Sequence, residues 1–499
     1  MDVLRTNVRE APAHLSLWLP LIAIMALGIL LRNIVVANTD VSWLITLCEK
    51  MLDGERPYVD FIETNPPAAI LLYLIPVALA RVVSLRPEIM VDAFIFASIG
   101  ASLWLSASIT RAAQLFDRRA TFLLAILFAA VFVVLPAQTF GEREHIATIA
   151  FLPLLALSTA RASEKSASIW FVIAVGLSAG VIAVIKPHFV VAIVMVAAVS
   201  AWSARDWRIF FALENWIAGA MFAAYGVLTY ILYPEFVANI LPLVAEIYVP
   251  IRGSFWKFII HFGTPIYLAV FAAMFALKGR SALHAPYSLL LAASIGFSFS
   301  YYSQLKGWAY HAYPMLAFAL AAAVIAFAQR WPLANNEVAS ERTRRLSSAL
   351  IIAFLAGATF VWMNFSLDMR ALREPIARVV SKPTVLAITS DIGVGHPLTR
   401  ALNGTWVGRG CGQWIATGAK ILKLETSNAA LHRRYDELEA YDRNTLIEDI
   451  RRAKPDIVLV DRIRFDWYEW AMSDATLMRE LDNYAKLDEI NDVLILRRK

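Results

Sequence analysis

Twelve apolar runs, most of them about 20 residues long, dominate this sequence and limit what it can fold into. They lie near 16–37, 68–83, 91–112, 120–136, 146–160, 168–185, 189–202, 211–232, 258–277, 287–303, 313–329 and 346–365. As an α-helix at 1.5 Å per residue, such a run is about 30 Å long, the thickness of a bilayer's hydrocarbon core. The 499 residues are 59% hydrophobic and only 17% charged, and mean hydropathy is +0.58. That composition excludes a disordered chain and argues against an ordinary soluble enzyme. The expected fold is a polytopic α-helical membrane protein with about 11–13 membrane segments.

The run Leu15–Ala37 is longer than the core of a signal peptide, and no small-residue cleavage site follows it. It reads as a first membrane helix with Arg5 and Arg9 on the cytoplasmic side. The net charge of +6 is no nucleic-acid signal, because the basic residues form short clusters between apolar runs. Those clusters are Arg111/Arg118/Arg119, Arg161/Lys165, Arg205/Arg208, Lys278/Arg280 and Arg330/Arg342/Arg344/Arg345. Placing them in the cytoplasm leaves 38–67, 137–145, 186–188, 233–257, 304–312 and the C-terminal region outside. Two runs, 68–83 and 91–112, then lie where an odd number of crossings is needed. The first, with its internal Pro76, is expected to dip into or lie along the membrane.

Charge density divides the chain into a membrane part, 1–365, and a soluble domain, 366–499. Roughly 40 of the 46 Lys+Arg and 40 Asp+Glu taken together lie in that last quarter. Strands are expected at Thr384–Thr389, Ile457–Val460 and Asp492–Arg497, with an amphipathic stretch at Thr445–Lys454, giving a small α/β domain. Its glycines (Gly393, Gly395, Gly404, Gly408, Gly410, Gly412) do not form a dinucleotide-binding fingerprint.

The loops placed outside hold most of the residues able to do chemistry. Loop 38–67 begins Asn-Thr-Asp, and either Thr39 or Asp40 could cap the helix that follows. Trp43, Leu44, Leu47, Met51 and Leu52 give that helix a greasy face suited to the membrane interface, Gly54 ends it, and Pro57 fixes a turn. Segment 138–145 packs Glu142, Arg143, Glu144 and His145 between two apolar runs, where burial is costly. A solvated cap is the plainer explanation, and paired charges beside a cavity the functional one. Lys186-Pro187-His188 interrupts an apolar stretch of about 35 residues, long for one crossing. Segment 304–312 adds Lys306, Trp308, Tyr310 and His311; its aromatics alone could be interfacial anchors. Together the loops suit a site facing an anionic, membrane-embedded substrate: cations for a phosphate, aromatics for a sugar or isoprenoid, a carboxylate as base.

Loop 38–67 resembles the GT-C superfamily of integral-membrane glycosyltransferases, which includes protein O-mannosyltransferases, oligosaccharyltransferases and the aminoarabinose transferases acting on lipid A. The matching features are Asp40 after the first helix, the amphipathic residues 42–53, Gly54 with Pro57-Tyr58, and Pro66-Pro67 opening the next run. The layout of about a dozen membrane segments followed by an extracytoplasmic α/β domain matches as well. The resemblance implies that Asp40 is the catalytic base, assisted by Glu142 or Glu144. It implies substrate contacts from Tyr58, Glu63, Asn65, Arg143, His145, Lys186, His188, Lys306, Trp308, Tyr310 and His311. In the lipid A-type transferases Glu-Lys precedes the Pro-Pro pair; here Thr64-Asn65 stands there, with Glu63 one place earlier. The lysine that would grip a lipid phosphate is missing, and Arg143, Lys186 or Lys306 would replace it. His145 with Glu142/Glu144, and His188 or His311, allow a divalent metal without diagnostic spacing. No cofactor is otherwise indicated.

The expected activity is an inverting glycosyl transfer from a polyprenyl-phosphate-linked sugar to an acceptor hydroxyl on a glycan, lipid or protein, in a bacterial inner membrane. Membrane lipid and the lipid-linked donor are the expected partners, and nucleic acid is not. A transporter or lipid-linked-sugar flippase without covalent chemistry is the alternative, although internal repeats are not evident. A membrane-anchored assembly protein would leave the charged outer loops unexplained. Cys48 and Cys411, the only cysteines, spell no metal motif and are expected to remain unbridged.

Overall fold

The computed structural model describes residues 13–278, 285–331 and 339–499; Arg5, Arg9 and Arg280 lie outside them. Every one of the twelve apolar runs carries a helix. These are α1 (Ala13–Ile34), α3 (Ala68–Val82), α4 (Pro87–Ala112), α5 (Arg118–Val133), α6 (Arg143–Ala162), α7 (Ile169–Ile185), α8 (Val190–Ala204), α9 (Leu213–Leu232), α10 (Gly263–Lys278), α11 (Ala285–Gln304), α12 (Ala309–Arg330) and α13 (Ala339–Met363). A further helix, α2 (Thr39–Leu52), follows the first. Among the described residues, six helical stretches are long and apolar enough to cross a membrane. They are Pro87–Ala112, Arg143–Ala162, Pro187–Ala204, Trp207–Leu232, Ala309–Arg330 and Ser340–Met363. The bent pair of Leu19–Ile34 and Thr39–Leu52 would make a seventh. Helix α3 has 15 residues with Pro76 inside, about 22 Å, too short alone to span a core of about 30 Å.

The helices form a centre and a rim. In α6 and α12, 78% of the apolar window is buried, against 11% for Trp207–Leu232 and 22% for Ser340–Met363. Helix α12 can sit at the centre because Ala312, Ala317, Ala319, Ala321, Ala322 and Ala323 let neighbouring backbones approach closely. Helix α6 runs from the polar Glu142–His145 segment to Arg161, whose guanidinium pairs Glu214 at 3.2 Å. The basic clusters and the polar loops therefore sit at opposite ends of the bundle.

Helix α2 departs from expectation in two ways. Its N-cap is Asn38, whose side chain accepts from Val41 N, so neither Thr39 nor Asp40 caps it. Trp43, Leu44 and Leu47 are buried inside the protein rather than turned to a membrane interface, while Met51 and Leu52 are half-buried. Val41 to Cys48 are all buried, because α2 turns 79° from α1 and becomes a layer between α3 and the C-terminal domain. Gly54 follows the helix at φ +96°, a left-handed position that glycine takes without strain.

The C-terminal domain holds a five-stranded sheet of order β2-β1-β3-β5-β4. The strands are β1 (Thr384–Ile388), β2 (Thr405–Trp406), β3 (Ile457–Asp461), β4 (Tyr484–Ile490) and β5 (Val493–Arg498). Strands β2, β1 and β3 are parallel, and β5 pairs antiparallel with β3 and β4. Three strands lie within a residue of expectation. The amphipathic stretch Thr445–Lys454 is the end of a 25-residue helix, α15 (Ala429–Ala453), which packs with α14 (Trp414–Glu425) on the sheet.

This domain docks on the polar end of the bundle. Arg400 reaches Glu88 on α4 at 2.7 Å and also pairs with Glu49 on α2. Arg434 holds Glu246 at 2.9 Å. Gly418 lies so close to Ile247 that a Cβ there would stand 1.9 Å from Ile247 Cγ2, so any larger residue would push α14 off the 236–248 helical segment. Cys48 and Cys411 are free thiols, and the docking requires no bridge between them.

Candidate functional site

Four segments distant in sequence meet at the polar end of the bundle. Glu142 caps α6, and Arg143, Glu144 and His145 form its first turn. Lys186 ends α7, and Tyr310 and His311 open α12. Asp40 stands in the first turn of α2. It is close enough to act electrostatically on Glu142, Arg143, Tyr248, Tyr310 and Cys411. Among the described residues, its carboxylate has no hydrogen-bond or ion-pair partner. With capping assigned to Asn38, the Asp40 carboxylate is not held by a cap and is chemically available.

Lys186 is committed: its Nζ lies 2.5 Å from Glu144 Oε1, and His311 Nε2 approaches the same oxygen at 3.6 Å. Arg143 differs. It is 4% exposed, yet among the described residues it makes no ion pair. Its Nη1 donates to Asn65 Oδ1, while its Nε is buried without a partner. Glu142, Glu144 and Asp40 act on it only through space. A buried guanidinium with five donors and one neutral partner is strongly under-satisfied. Glu142 Oε1, Glu144 Oε2 and His311 Nδ1 are likewise buried without partners.

Loop 57–65 supports this cluster more than it faces a ligand. Buried Glu63 accepts from Trp43 Nε1 at 2.5 Å, Asn65 N at 2.8 Å and Asn65 Nδ2 at 2.5 Å. The Tyr58 hydroxyl donates to Asn65 O at 2.8 Å, and its ring packs against Tyr233 and Phe236. Both residues hold Asn65.

Three further expected residues are occupied by structure. Both nitrogens of His145 are satisfied: Nδ1 accepts from Gly141 N at 3.0 Å, and Nε2 lies 2.8 Å from Phe132 O. The tautomer protonated at Nε2 meets both needs, and the ring is fully buried, so His145 is a core histidine that offers no ligand contact. Lys306 Nζ donates to Tyr248 O at 2.9 Å and Ile251 O at 2.6 Å, and lies 4.2 Å from the Tyr248 ring centre. It ties two outer loops together rather than joining Arg143, and burial with the nearby Arg252 charge lowers its pKa to about 8. His188 lies 3.4 Å from Gln304 Nε2. Trp308 stacks with Tyr310 at 5.7 Å, and Tyr310 meets His311 edge-on at 4.5 Å, giving one aromatic wall.

Residues that the sequence reading passed over also belong here. The Gly408–Gly412 loop crosses the top of the site, where Arg409 O accepts from Ile62 N at 2.8 Å. Cys411 on that loop faces Glu63 and Asp40, and burial followed by those two charges pushes its thiol pKa up. The glycines were informative, but for close packing rather than for nucleotide binding. A Cβ at Gly412 would stand 2.6 Å from Thr389 O. Tyr248, from the segment between α9 and α10, packs on Trp414 of α14 at 6.4 Å; only its aromatic character signalled it. Among the described residues, no three His, Cys, Asp or Glu side chains converge closely enough to hold a metal ion. No protein-family model and no curated protein matches this sequence.

Proposed function

We propose that this protein is a membrane-embedded glycosyltransferase of the GT-C type, with its site and C-terminal domain outside the cytoplasm of a bacterial inner membrane. The donor is a polyprenyl-phosphate-linked sugar. The observation that carries the reading is the presence in one cluster of the buried Arg143 guanidinium, which among the described residues has a neutral amide but no ionic partner, and the Asp40 carboxylate, which has neither a hydrogen-bond nor an ion-pair partner there. An unpaired buried cation calls for an anion, which a donor phosphate supplies. An unpaired carboxylate beside it can act as base.

In this mechanism Asp40 accepts the proton of the acceptor hydroxyl. The resulting oxygen attacks the anomeric carbon while the bond from that carbon to the phosphate oxygen breaks. Its electron pair leaves on polyprenyl phosphate, whose charge Arg143 stabilises. Attack opposite the leaving group inverts the anomeric centre. An apolar cleft of about 280 Å³ between α7, α8 and α9, lined by Ala183, Val190, Ile193, Phe211, Trp216 and Phe222, supports a lipid-borne donor. It begins one helical turn from Lys186 and extends toward the opposite end of the bundle.

The test is incubation of purified protein in lipid nanodiscs with a panel of radiolabelled polyprenyl-phosphate sugars. Release or transfer of label that needs Asp40 is the expected result. Movement of intact labelled lipid across a vesicle membrane, without cleavage, would instead establish a flippase.

A further inference from the structure

Glu63 and Asn65 form a chain that ends on Arg143, a buried cation of the site that has no ionic partner among the described residues. Glu63 is deeply buried and acceptor-only when ionised. It receives both the backbone N–H and the side-chain Nδ2 of Asn65. With Nδ2 committed to a carboxylate, Asn65 Oδ1 must face the other way, and there it accepts from Arg143 Nη1. Donor and acceptor demands on the two sides agree, so only one orientation of the amide satisfies both. Asn65 is held at its backbone too, through Tyr58 and Glu63, and Pro66-Pro67 stiffen the chain after it. Trp43 fixes Glu63 from α2, three residues beyond Asp40.

We propose that Glu63 and Asn65 are positioning residues that orient the Arg143 guanidinium for a substrate phosphate, so that a neutral Asn–Arg pair does the work of a single lysine at position 65. The proposal rests on the polyprenyl-phosphate reading of the site. Asn65 occupies only one of the five guanidinium donors, leaving the rest for phosphate oxygens, and its neutral amide does not cancel the charge as a carboxylate would. Loss of Asn65 leaves the cation in place but free to turn toward Glu142, Glu144 or Asp40.

The full chain in nanodiscs is titrated with polyprenyl phosphate that carries no sugar. Wild type binds, and Arg143→Ala weakens binding at least 30-fold. Asn65→Ala weakens it about tenfold, and Glu63→Gln weakens it in the same direction, because the single amide oxygen cannot serve both Trp43 Nε1 and the two Asn65 donors, so the chain loses an anchor and its charge-assisted bonds. In the Arg143→Ala background, Asn65→Ala costs nothing further. Adding Asn65→Lys to Arg143→Ala restores binding, since the Asn65 side chain already touches the guanidinium position. Failure of wild type to bind polyprenyl phosphate would remove the reading of the site itself. Wild-type binding with Asn65→Ala and Glu63→Gln unchanged would overturn only the positioning role. So would losses that simply add in the Arg143→Ala/Asn65→Ala double variant, as two unrelated structural defects would. If Asn65→Ala does not accumulate, Glu63→Gln and the lysine rescue decide the matter.

Discussion

Arg400 Nε donates to Glu88 Oε1 over 2.7 Å, joining residues 312 positions apart. The same guanidinium takes Glu49 with its other nitrogens, so one side chain of the C-terminal domain grips both α2 and α4. Replacing Arg400 by Ala leaves Glu49 without its ion pair and Glu88 with only Arg86, at 3.6 Å, a cost of about 1–2 kcal/mol to the docked state for these partly exposed groups. Lysine cannot span both partners and should not restore docking. The measurement is Cys411 labelling by a maleimide in the intact protein. Faster labelling in both Arg400→Ala and Arg400→Lys is expected, and wild-type rates in either would refute the joint.

Asp40→Asn tests the proposed role of Asp40 as general base. Asn38 carries the cap, so the variant should fold and bind donor as wild type does. Turnover should fall about 10²–10⁴-fold, the usual worth of a positioned general base. Near-normal turnover in a labelled-sugar assay would move the role to Glu142 or Glu144.

Asp442 offers a pH signature. Burial raises its carboxyl pKa to about 7 against the pull of the Ala416 and Ile415 backbone donors, with Glu439 and Asp449 adding repulsion. The folded state therefore holds a proton that the unfolded chain has lost above about pH 3.8. Stability from this group is full below that value and is lost as pH rises to about 7. Asp442→Asn keeps an acceptor for Ala416 N but removes the titration. The Tm difference, wild type minus Asp442→Asn, should decline across that window and level off above it. A difference independent of pH would contradict the assignment.

His396 has the opposite dependence. It sits between Trp43 at 5.2 Å and Trp406 at 4.6 Å, with neither ring nitrogen partnered. Burial, then the Arg400 charge, lowers its pKa from 6.5 to about 3. The folded state excludes a proton that the unfolded chain takes up, so stability present above pH 6.5 is lost as pH falls toward 3. His396→Phe fills the same aromatic slot without a titrating group. Its Tm should fall less between pH 7 and pH 5 than that of wild type. Equal acid sensitivity in the two proteins would show that His396 does not set it.

The helices were legible because local sequence dictates them. A long apolar run must satisfy its backbone internally, and a helix does so without help from distant residues. Strands β1, β3 and β5 were legible for a similar reason, being β-branched and largely buried. Strand β4, Tyr-Ala-Lys-Leu-Asp-Glu-Ile, was not, because its partly exposed residues, three of them charged, resemble a loop and only pairing with β5 makes it a strand. Strand β2 is two residues long and exists through its pairing with β1.

The site divides along the same line. Sequence alone put carboxylates, cations and aromatics into a few loops on one side, since composition and charge order are written along the chain. It could not tell which charges were used up. Lys186, Lys306 and Arg143 were equivalent as isolated cations, and only the fold brings Glu144 to the first, two carbonyls to the second and a neutral amide to the third. His145 likewise looked available until Gly141 and Phe132 took both its nitrogens. The backbone at Asn38 gave the cap to that residue and left Asp40 unpaired. Sequence determined which groups exist and roughly at which end of the molecule. Tertiary structure decided which remain unsatisfied, because hydrogen bonds and ion pairs between distant segments depend on distances that no local pattern encodes.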